Sequence, residues 1–469
     1  MREELFFNVG DKPSFGKNIV FALQQLLAIL AATIAVPAIV QNGMSQSAAL
    51  FGAGIGTLVY LLFTKFKSPV FLGSSFAFLS SMSAAFAGAV SASAGFLGLM
   101  LGALFAGLVY VVLALLVKFT GTKWVEKLMP AVIIGPTVAI IGLSLAGNAV
   151  ADLSAGSVLN ESNEMLSSPW LALLCGLVTL LVTIVSSVYG KKMMKMIPFI
   201  IGILAGYILA AIFTGIGYAA NIDQMKIINF ELFNDMKWLP DFTFIKAFSS
   251  FADFESVGQF FSYVGTIAVA YIPVAFVVFA EHIADHKNLS TIIGKDLLEE
   301  PGLDRTLLGD GVGSFAGAFF GGCPNTTYGE SIGCVAISRN ASVYTILTTA
   351  IMAILISFFA PFITFLATIP KCVMGGVCIA LYGFIAVSGL KMIQGVDLSD
   401  NRNLFVVSVI LIAGVGGLTL NILNKNGALL IQVTEVACAL ILGIIVNALV
   451  NIKKPKEENS SSQNDNIDE

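Results

Sequence analysis

Apolar residues fall in blocks along almost the whole chain, separated by short polar or glycine-rich stretches. The blocks contain about 20 residues, which is long enough for a helix to cross a hydrocarbon core of roughly 30 Å. The pattern predicts an all-α polytopic membrane protein. Its fourteen candidate spans are residues 17–41, 47–64, 69–86, 94–118, 127–149, 169–189, 197–217, 259–283, 303–321, 324–338, 342–366, 371–390, 402–422 and 428–451.

The third and tenth spans are short and rich in glycine, serine and threonine. They contain VFLGSSFAFLSSM (70–82) and CPNTTYGESIGCVAIS (323–338), and hydropathy alone would leave the total at twelve to fourteen. An interrupted helix frees backbone N–H and C=O groups, which lipid does not satisfy but a bound polar solute does. Short, interrupted segments at corresponding places in two halves point to the binding site of a transporter.

The two halves of the chain share a short motif. LMPAVIIGPTVAIIGLSL (128–145) in the fifth span resembles TIPKCVMGGVCIALYGFI (368–385) in the twelfth, so that Pro130 aligns with Pro370. Because seven spans per repeat is an odd number, the second copy runs opposite to the first. We therefore predict a tail 1–16, a first seven-span repeat 17–217, an external connection 218–258, a second repeat 259–451 and a disordered tail 452–469.

Basic residues are distributed unequally between the two sides of this arrangement. With the N-terminus inside, the outward side keeps few of the 25 lysines and arginines, namely Lys226, Lys237, Lys246, Lys371 and Lys425. Positive charge concentrates in the cytoplasmic loops of membrane proteins, so both termini should be cytoplasmic. The aromatic connection 218–258 predicts an interfacial helix or an external cap.

Composition agrees with this class of protein. Hydrophobic residues make up 57% of the chain and charged residues 12%, whereas a soluble domain carries about 25% charged residues. Six cysteines without a CxxC pair, and only two histidines, argue against a metal site. The sequence gives no reason to expect a cofactor or nucleic-acid binding.

Two glutamates interrupt stretches that are otherwise apolar. Glu281 follows the run YIPVAFVVFA, and Glu330 closes CPNTTYGE. A carboxylate at membrane depth is costly, so such residues usually line a pathway or pair with a ligand. With the backbone N–H groups of 73–78 and 325–330, they predict a cavity for a planar ring with alternating N–H and C=O groups, for a proton, or for both. The plainer alternatives are an interfacial Glu281 and a loop acid at Glu330.

The motifs AEH (280–282) and NTTYGE (325–330), with GSSFAF (73–78), resemble the nucleobase–cation symporter-2, or nucleobase–ascorbate, family and its bacterial uracil permeases. The resemblance implies fourteen spans in two inverted repeats, with short extended strands in the third and tenth spans. It also implies proton-coupled uptake of a nucleobase and a homodimer. The implied domains are a core of 17–118 plus 259–366 and a gate of 127–217 plus 371–451.

Residue roles follow from the same resemblance. Glu281 and Glu330 are the carboxylates expected to bind the ring, and the backbone N–H groups of Phe76 and Gly329 are expected to reach its carbonyl groups. The other implied substrate contacts are Tyr328, Tyr382, Ala32 and Ser75. Purine-transporting relatives usually have glutamine at the position of Glu330, so the glutamate favours a pyrimidine.

Proton coupling is expected at Glu281, Asp285 and His286. Burial disfavours the charged form of a carboxyl group, and a protonated Glu281 can donate a hydrogen bond that the ionised form cannot. Some family members have a histidine four residues after the first glutamate, where this chain has Asp285 with His286 next, so the relay assigned to that histidine stays open. His282 and His286 also fit an interfacial position, and Asp310 fits a polar contact between spans.

We therefore predict proton-coupled uptake of uracil through the bacterial inner or plasma membrane, with uracil, a proton and the lipid bilayer as partners. One alternative is a xanthine or hypoxanthine permease of the same family. A second is an anion transporter or channel on the same inverted plan, which should present a cation near the broken spans. A membrane enzyme lacks support, because PNTTYGE lacks the flanking glycines of a phosphate loop. Glu435 is expected inside the last span, in a polar contact within the gate domain.

Overall fold

The computed structural model describes residues 5–121, 124, 130–158, 165–191, 193–423 and 429–452. Most of this chain is helical. In chain order the helices are α1 Phe15–Val40, α2 Gln46–Phe63, α3 Leu79–Ala87, α4 Ala92–Thr120, α5 Ala131–Ser144, α6 Ala146–Asp152, α7 Pro169–Tyr189, α8 Met193–Met196, α9 Pro198–Ala220, α10 Thr243–Ser249, α11 Val257–Ile293, α12 Leu303–Gly321, α13 Gly329–Ser338, α14 Val343–Ile356, α15 Ala360–Ala367, α16 Lys371–Met392, α17 Asn401–Val415 and α18 Glu435–Val450.

The remaining regular structure is short. The strands are β1 Leu72–Ser74, β2 Asn325–Thr327, β3 Leu420–Leu423 and β4 Leu429–Val433. Single turns of helix lie at Phe76–Phe78, Asp223–Met225, Phe230–Asp235, Ser250–Asp253, Leu298–Gly302 and Ile393–Gly395. The predicted disordered tail lies outside the described residues from 453 onward, as do residues 1–4 and residues 127–129 at the start of the predicted gate domain.

Eight helices in the described part of the chain are long and apolar enough to cross a membrane. A ninth span results if α14 and α15, which are bent by 85° at their junction, are counted together. Shorter apolar helices lie at Phe76–Ala87, Asn401–Val415 and Glu435–Val450. The chain is therefore an integral membrane protein that crosses the bilayer many times, as the hydropathy pattern predicted.

The two broken segments meet in the middle of the molecule. Strands β1 and β2 pair antiparallel, in the register Leu72 with Thr327, Gly73 with Thr326 and Ser74 with Asn325. Each strand leads into a short helical piece, Phe76–Ala87 on one side and α13 on the other. The pairing satisfies part of the backbone that an interrupted helix leaves without partners, and the predicted extended strands in these two segments are confirmed.

Helix packing produces two groups. In the first bundle, α2 and α4 pack on α12, α11 packs on α4, and α14 packs on α1 and α2. In the second bundle, α5 and α7 pack on α16, α9 packs on α7, and α17 packs on α5 and α18. Small residues bring the axes close together: a Cβ on Gly56 would lie 2.7 Å from the carbonyl oxygen of Gly313, and a Cβ on Gly135 would lie 3.0 Å from that of Gly389. Such close contacts are typical of membrane helix packing.

Three predicted spans end differently from expectation. The predicted helix 402–422 is wrong beyond Val415, because Gly417 adopts a left-handed φ of 69° and the chain turns into the β3–β4 hairpin. Glycine at that position is a common helix terminator. The helix predicted at 259–283 continues to Ile293, and the span 342–366 is broken between α14 and α15. The connection 218–258 forms α10 and three helical turns.

Candidate functional site

A cavity of about 330 Å³ lies between the two bundles. The first bundle lines it with the starts of the two half-helices and the middle of α11. The second bundle contributes mostly apolar side chains, which are Val138, Ile141, Phe199, Phe384 and Ile385. A concave site with apolar walls and a few convergent polar groups is typical of a small-molecule binding site.

Glu281 and Glu330 both line this cavity. Glu281 lies on α11, directly after the apolar run YIPVAFVVFA, and Glu330 occupies the first turn of α13. Both side chains are half-buried. The positive end of the α13 dipole favours a negative group in that first turn. The fold therefore brings together two carboxyl groups that are 49 positions apart in the chain.

Asp285 lies one helical turn after Glu281 and lines the same cavity. Its Oδ2 accepts a hydrogen bond from Thr327 Oγ1 at 2.6 Å. This bond ties α11 to strand β2, directly before the half-helix that carries Glu330. Asp285 thus fixes one wall of the cavity and adds a third acidic side chain to it.

Backbone donors are available at the two helix starts. Phe76 begins a helical turn and Gly329 begins α13, and the N–H groups of a first helical turn have no partner within the helix. Both residues line the cavity, and the space beside the Gly329 Cα is open. The two N–H groups can therefore donate to carbonyl oxygens of a ligand placed between the half-helices.

The aromatic residues divide between the cavity wall and the layer behind it. Phe76 and Tyr328 line the cavity. Tyr328 is fixed because its hydroxyl donates to the carbonyl oxygen of Ser74 at 2.8 Å. Tyr382 is buried behind Phe76, with the ring centroids 5.8 Å apart in an edge-to-face arrangement. Tyr382 therefore supports the Phe76 ring without lining the cavity itself.

Two of the other predicted substrate contacts also lie behind the wall. Ala32 is fully buried on α1, and Ala28, one turn earlier, lines the cavity in its place. Ser75 is buried, and its N–H donates to the carbonyl oxygen of Pro324 at 2.9 Å. This bond joins the two broken segments just before Phe76.

His286 lies away from the cavity. It is fully buried, its Nδ1 donates to the carbonyl oxygen of His282 at 2.8 Å, and its Nε2 is 2.7 Å from the Tyr60 hydroxyl. His282 is also fully buried and contacts Asp310, which confirms a polar contact between spans for that aspartate. The interfacial position expected for both histidines is therefore wrong, because α11 continues past them into the protein for another two turns.

Glu435 also differs from expectation. It is the first residue of α18 and accepts a hydrogen bond from Ser80 Oγ of α3 at 2.7 Å. Helix α3 packs on α4 and α11 and so belongs to the first bundle. The contact therefore joins the second bundle to the first bundle, whereas a contact within one domain was predicted.

A second cavity of about 480 Å³ lies at the other end of α1. Pro37, Ala38 and Ile39 line it at the end of α1, and the 218–258 connection covers it with residues such as Leu232 and Asp241. Ala28 and Pro37 are nine residues apart, which is about 14 Å along a helix. Ala31, Ala32 and Ala35 between them are fully buried. Packed side chains therefore separate the two cavities along α1.

Residues 16–423 match the sequence profile of a permease family. The members of that family are nucleobase–cation symporters of type 2. The chain belongs to the nucleobase–cation symporter-2 family. Curated members of this family are similar to it over nearly their whole lengths. The uracil permease of Bacillus subtilis strain 168 is 37% identical over 464 residues, covering 98% of this chain and 99% of the relative.

Two further symporter-2 relatives give the same result. The uracil permease of Bacillus caldolyticus is 39% identical over 460 residues, covering 97% of each chain. That of Escherichia coli K12 is 35% identical over 455 residues, covering 96% of this chain and 95% of the relative.

Solved structures with the same fold come from transporters of other solutes. The transmembrane domain of the cyanobacterial bicarbonate transporter BicA has a TM-score of 0.62 at 15% identity, covering 94% of this chain and all of that domain. The murine anion transporter Slc26a9, in an inward-facing state, has a TM-score of 0.62 at 12% identity, covering 94% of this chain and 69% of that one. At these identities the similarity establishes the fold of this symporter-2 family member and nothing about its substrate.

Proposed function

We propose that this chain is a uracil permease that takes up uracil together with protons. The observation that carries the proposal is the pair Glu281 and Glu330, which line one cavity between two half-helix starts. The 35–39% identity to curated uracil permeases over nearly the full chain supports the same substrate.

The hydrogen-bonding groups of uracil match the donors and acceptors that line the cavity. Uracil is planar, with two ring N–H donors and two carbonyl acceptors. A carboxylate only accepts hydrogen bonds, so Glu281 and Glu330 suit the ring N–H groups. The backbone N–H groups of Phe76 and Gly329 suit the carbonyl oxygens. The faces of Phe76 and Tyr328 suit the flat surface of the ring.

Proton coupling follows from the cost of burying carboxyl groups near one another. Glu281, Asp285 and Glu330 line one cavity, and mutual repulsion and poor hydration both favour the protonated form. A proton that enters with uracil lowers this repulsion, and release of that proton returns the site to its starting state. Glu281 remains the group proposed to carry that proton, with Asp285 beside it.

Alternating access is the proposed transport mechanism. The first and second bundles correspond to the core and gate domains of the symporter plan, with fourteen spans in two inverted repeats and a homodimeric assembly. If both termini are cytoplasmic, the Glu281 cavity opens inward beside Lys195, and the second cavity lies on the outer side under the 218–258 cap. Movement of the core against the gate would expose the site to each side in turn.

An anion carrier on the same fold is disfavoured by the site itself. Three acidic side chains line the cavity, and they repel an anion. Lys195 also lines it, but its side chain is exposed at the mouth. A purine permease differs less, and competition of labelled uracil uptake by xanthine and hypoxanthine separates the two substrates.

The test is uracil binding to purified Glu330→Gln and Glu281→Gln. A hydrogen bond to a charged group contributes about 1.5–3 kcal/mol, so each variant should bind uracil about 10- to 150-fold more weakly. Glu299→Gln is the matched control, because Glu299 is an exposed acid in the helical turn Leu298–Gly302 and does not line the cavity. Binding of wild-type strength in both cavity variants would refute the proposal.

A further inference from the structure

Behind the cavity, His282 of α11 and Asp310 of α12 form a buried pair. Their side chains are 0% and 1% exposed, and His282 Nδ1 lies 2.7 Å from Asp310 Oδ2. Neither residue lines the Glu281 cavity. The transport chemistry described above makes no use of them.

The hydrogen bonds around the pair leave two arrangements of its protons. The Thr306 hydroxyl lies 3.1 Å from the carbonyl oxygen of Leu303 and 3.0 Å from His282 Nε2, and it has one hydrogen to donate. If that hydrogen goes to Leu303, Nε2 carries the N–H of a neutral His282, and the 2.7 Å contact at Nδ1 requires a proton on Asp310. If it goes to Nε2, His282 Nδ1–H donates to an ionised Asp310.

The surroundings favour the first arrangement, with a proton on Asp310. Within the described residues, Asp310 pairs with His282 and not with a lysine or arginine, and its Oδ1 has no hydrogen-bond partner. Burying an ionised carboxylate without such compensation is costly. A protonated acid that donates through Oδ2 leaves a carbonyl at Oδ1, for which a missing partner costs less.

Among the described residues, the titratable groups that face the pair from neighbouring elements are acids, tyrosines and a histidine, and none is a lysine or arginine. Glu281 and Asp285 interact with Asp310 from α11, Tyr60 from α2 and Tyr110 from α4. His286 stacks on His282, with the ring centroids 4.0 Å apart. The Tyr110 ring lies 6.1 Å from the His282 ring, and its hydroxyl has no partner among the described residues. Loss of the proton would place a new negative charge near two carboxyl groups of the cavity.

We propose that His282 and Asp310 form a proton-binding site, separate from the carboxylate cavity, that takes up and releases one proton during each transport cycle. The step moves one proton between the pair and water and changes no other covalent bond. The part that concerns transport rests on the proposed function. Electrostatic repulsion couples the two sites, because the charge on Asp310 acts directly on Glu281 and Asp285.

A line of polar side chains leads from the pair towards the end of α2. His286 stacks on His282, and the Tyr60 hydroxyl donates to His286 Nε2 at 2.7 Å, because the other ring nitrogen of His286 is already a donor. Ser68 Oγ in turn donates to the Tyr60 oxygen at 2.7 Å. Ser68 is next to Lys67, whose side chain is half exposed. The hydrogen-bonded part of this line runs from His286 to Ser68, and only ring stacking links it to the pair.

The first experiment does not depend on transport. Infrared difference spectra of wild type against Asp310→Asn and against His282→Gln, recorded on purified protein near neutral pH, report the state of the pair. A protonated carboxylic acid, or an imidazolium with a carboxylate, is expected, since either places one proton on the pair. A carboxylate together with a neutral imidazole would overturn the proposal.

The second experiment measures transport in proteoliposomes. Asp310→Asn keeps the size of the side chain and can donate to His282 Nδ1, so it should bind uracil and exchange labelled for unlabelled uracil as wild type does. It should lose accumulation of uracil driven by a pH gradient, whereas the control Glu299→Gln should keep it. Gradient-driven accumulation at the wild-type level in Asp310→Asn would overturn the proposal. If wild type itself bound no uracil, the proposed function would fail, and the infrared result would still decide the pair.

Discussion

Replacing Gly73 by alanine tests whether the strand pair β1–β2 positions the binding site. Gly73 lies in β1, and a Cβ at this position would overlap the ring of Tyr328. That ring has little freedom to move, because its hydroxyl is bonded to the carbonyl oxygen of Ser74 and the residue is 3% exposed. Tyr328 directly precedes Gly329 and Glu330. We therefore expect Gly73→Ala to displace the start of α13.

Overpacking of this kind typically costs about 1–3 kcal/mol. If this cost falls on the uracil-bound state, uracil affinity should fall about 5- to 150-fold. Isothermal titration of purified protein measures the loss. Gly265→Ala is the matched control, because Gly265 lies within α11 with open space around its Cα, and alanine is favoured in a helix. That control should bind uracil as wild type does.

A double variant identifies the cause. Because the steric conflict is with one ring, Gly73→Ala should cost less when Tyr328→Ala is already present, and the two effects should not add. Additive losses, or a Gly73→Ala protein with wild-type affinity and melting temperature, would refute the reasoning.

Two other contacts give sharper local tests. Thr327→Val removes the hydroxyl that donates to Asp285. Because the bond involves an acidic group, its loss should cost about 1.5–3 kcal/mol and weaken uracil binding about 10- to 150-fold. Thr326→Val is the control, since the Thr326 hydroxyl has no partner among the described residues, and equal losses in both variants would contradict the role of the bond. The exposed Lys67, which follows α2, lowers the pKa of Glu300 in the helical turn before α12. The contribution of this pair to stability is present at neutral pH and is lost as pH falls through the pKa of Glu300. Solvent weakens such a pair, so Glu300→Gln should leave the melting temperature at neutral pH unchanged, and a clear decrease would show that the pair matters.

The sequence alone was sufficient to single out the two glutamates that line the cavity, because their charge stands out against apolar surroundings. Glu281 and Glu330 are recognisable because acids inside apolar runs are rare, and the broken segments are recognisable by their glycine, serine and threonine content. Their pairing as β1–β2 follows from the same cause, since two interrupted helices must satisfy their backbone groups together. These signals are local and do not depend on a partner elsewhere in the chain.

The features that sequence reasoning missed depend on distant partners. His282 and His286 follow an apolar run, where a helix end at the interface is an equally good interpretation, and only the position of Asp310 on α12 shows that they are buried. One signal was available: His282 and His286 are four residues apart, as are Glu281 and Asp285, so each pair occupies its own face of α11. The β3–β4 hairpin was missed because its apolar residues also fit a helix.

The proposed binding mode requires uracil to present its two ring N–H groups to the carboxyl groups of Glu281 and Glu330. The direct test is competition for the uracil site of the wild-type protein by 1-methyluracil, 3-methyluracil and 1,3-dimethyluracil, which lack one, the other or both of these donors. We expect each single methylation to weaken binding strongly and the dimethylated ring not to compete. Competition by 1,3-dimethyluracil as effective as that by uracil would contradict the account.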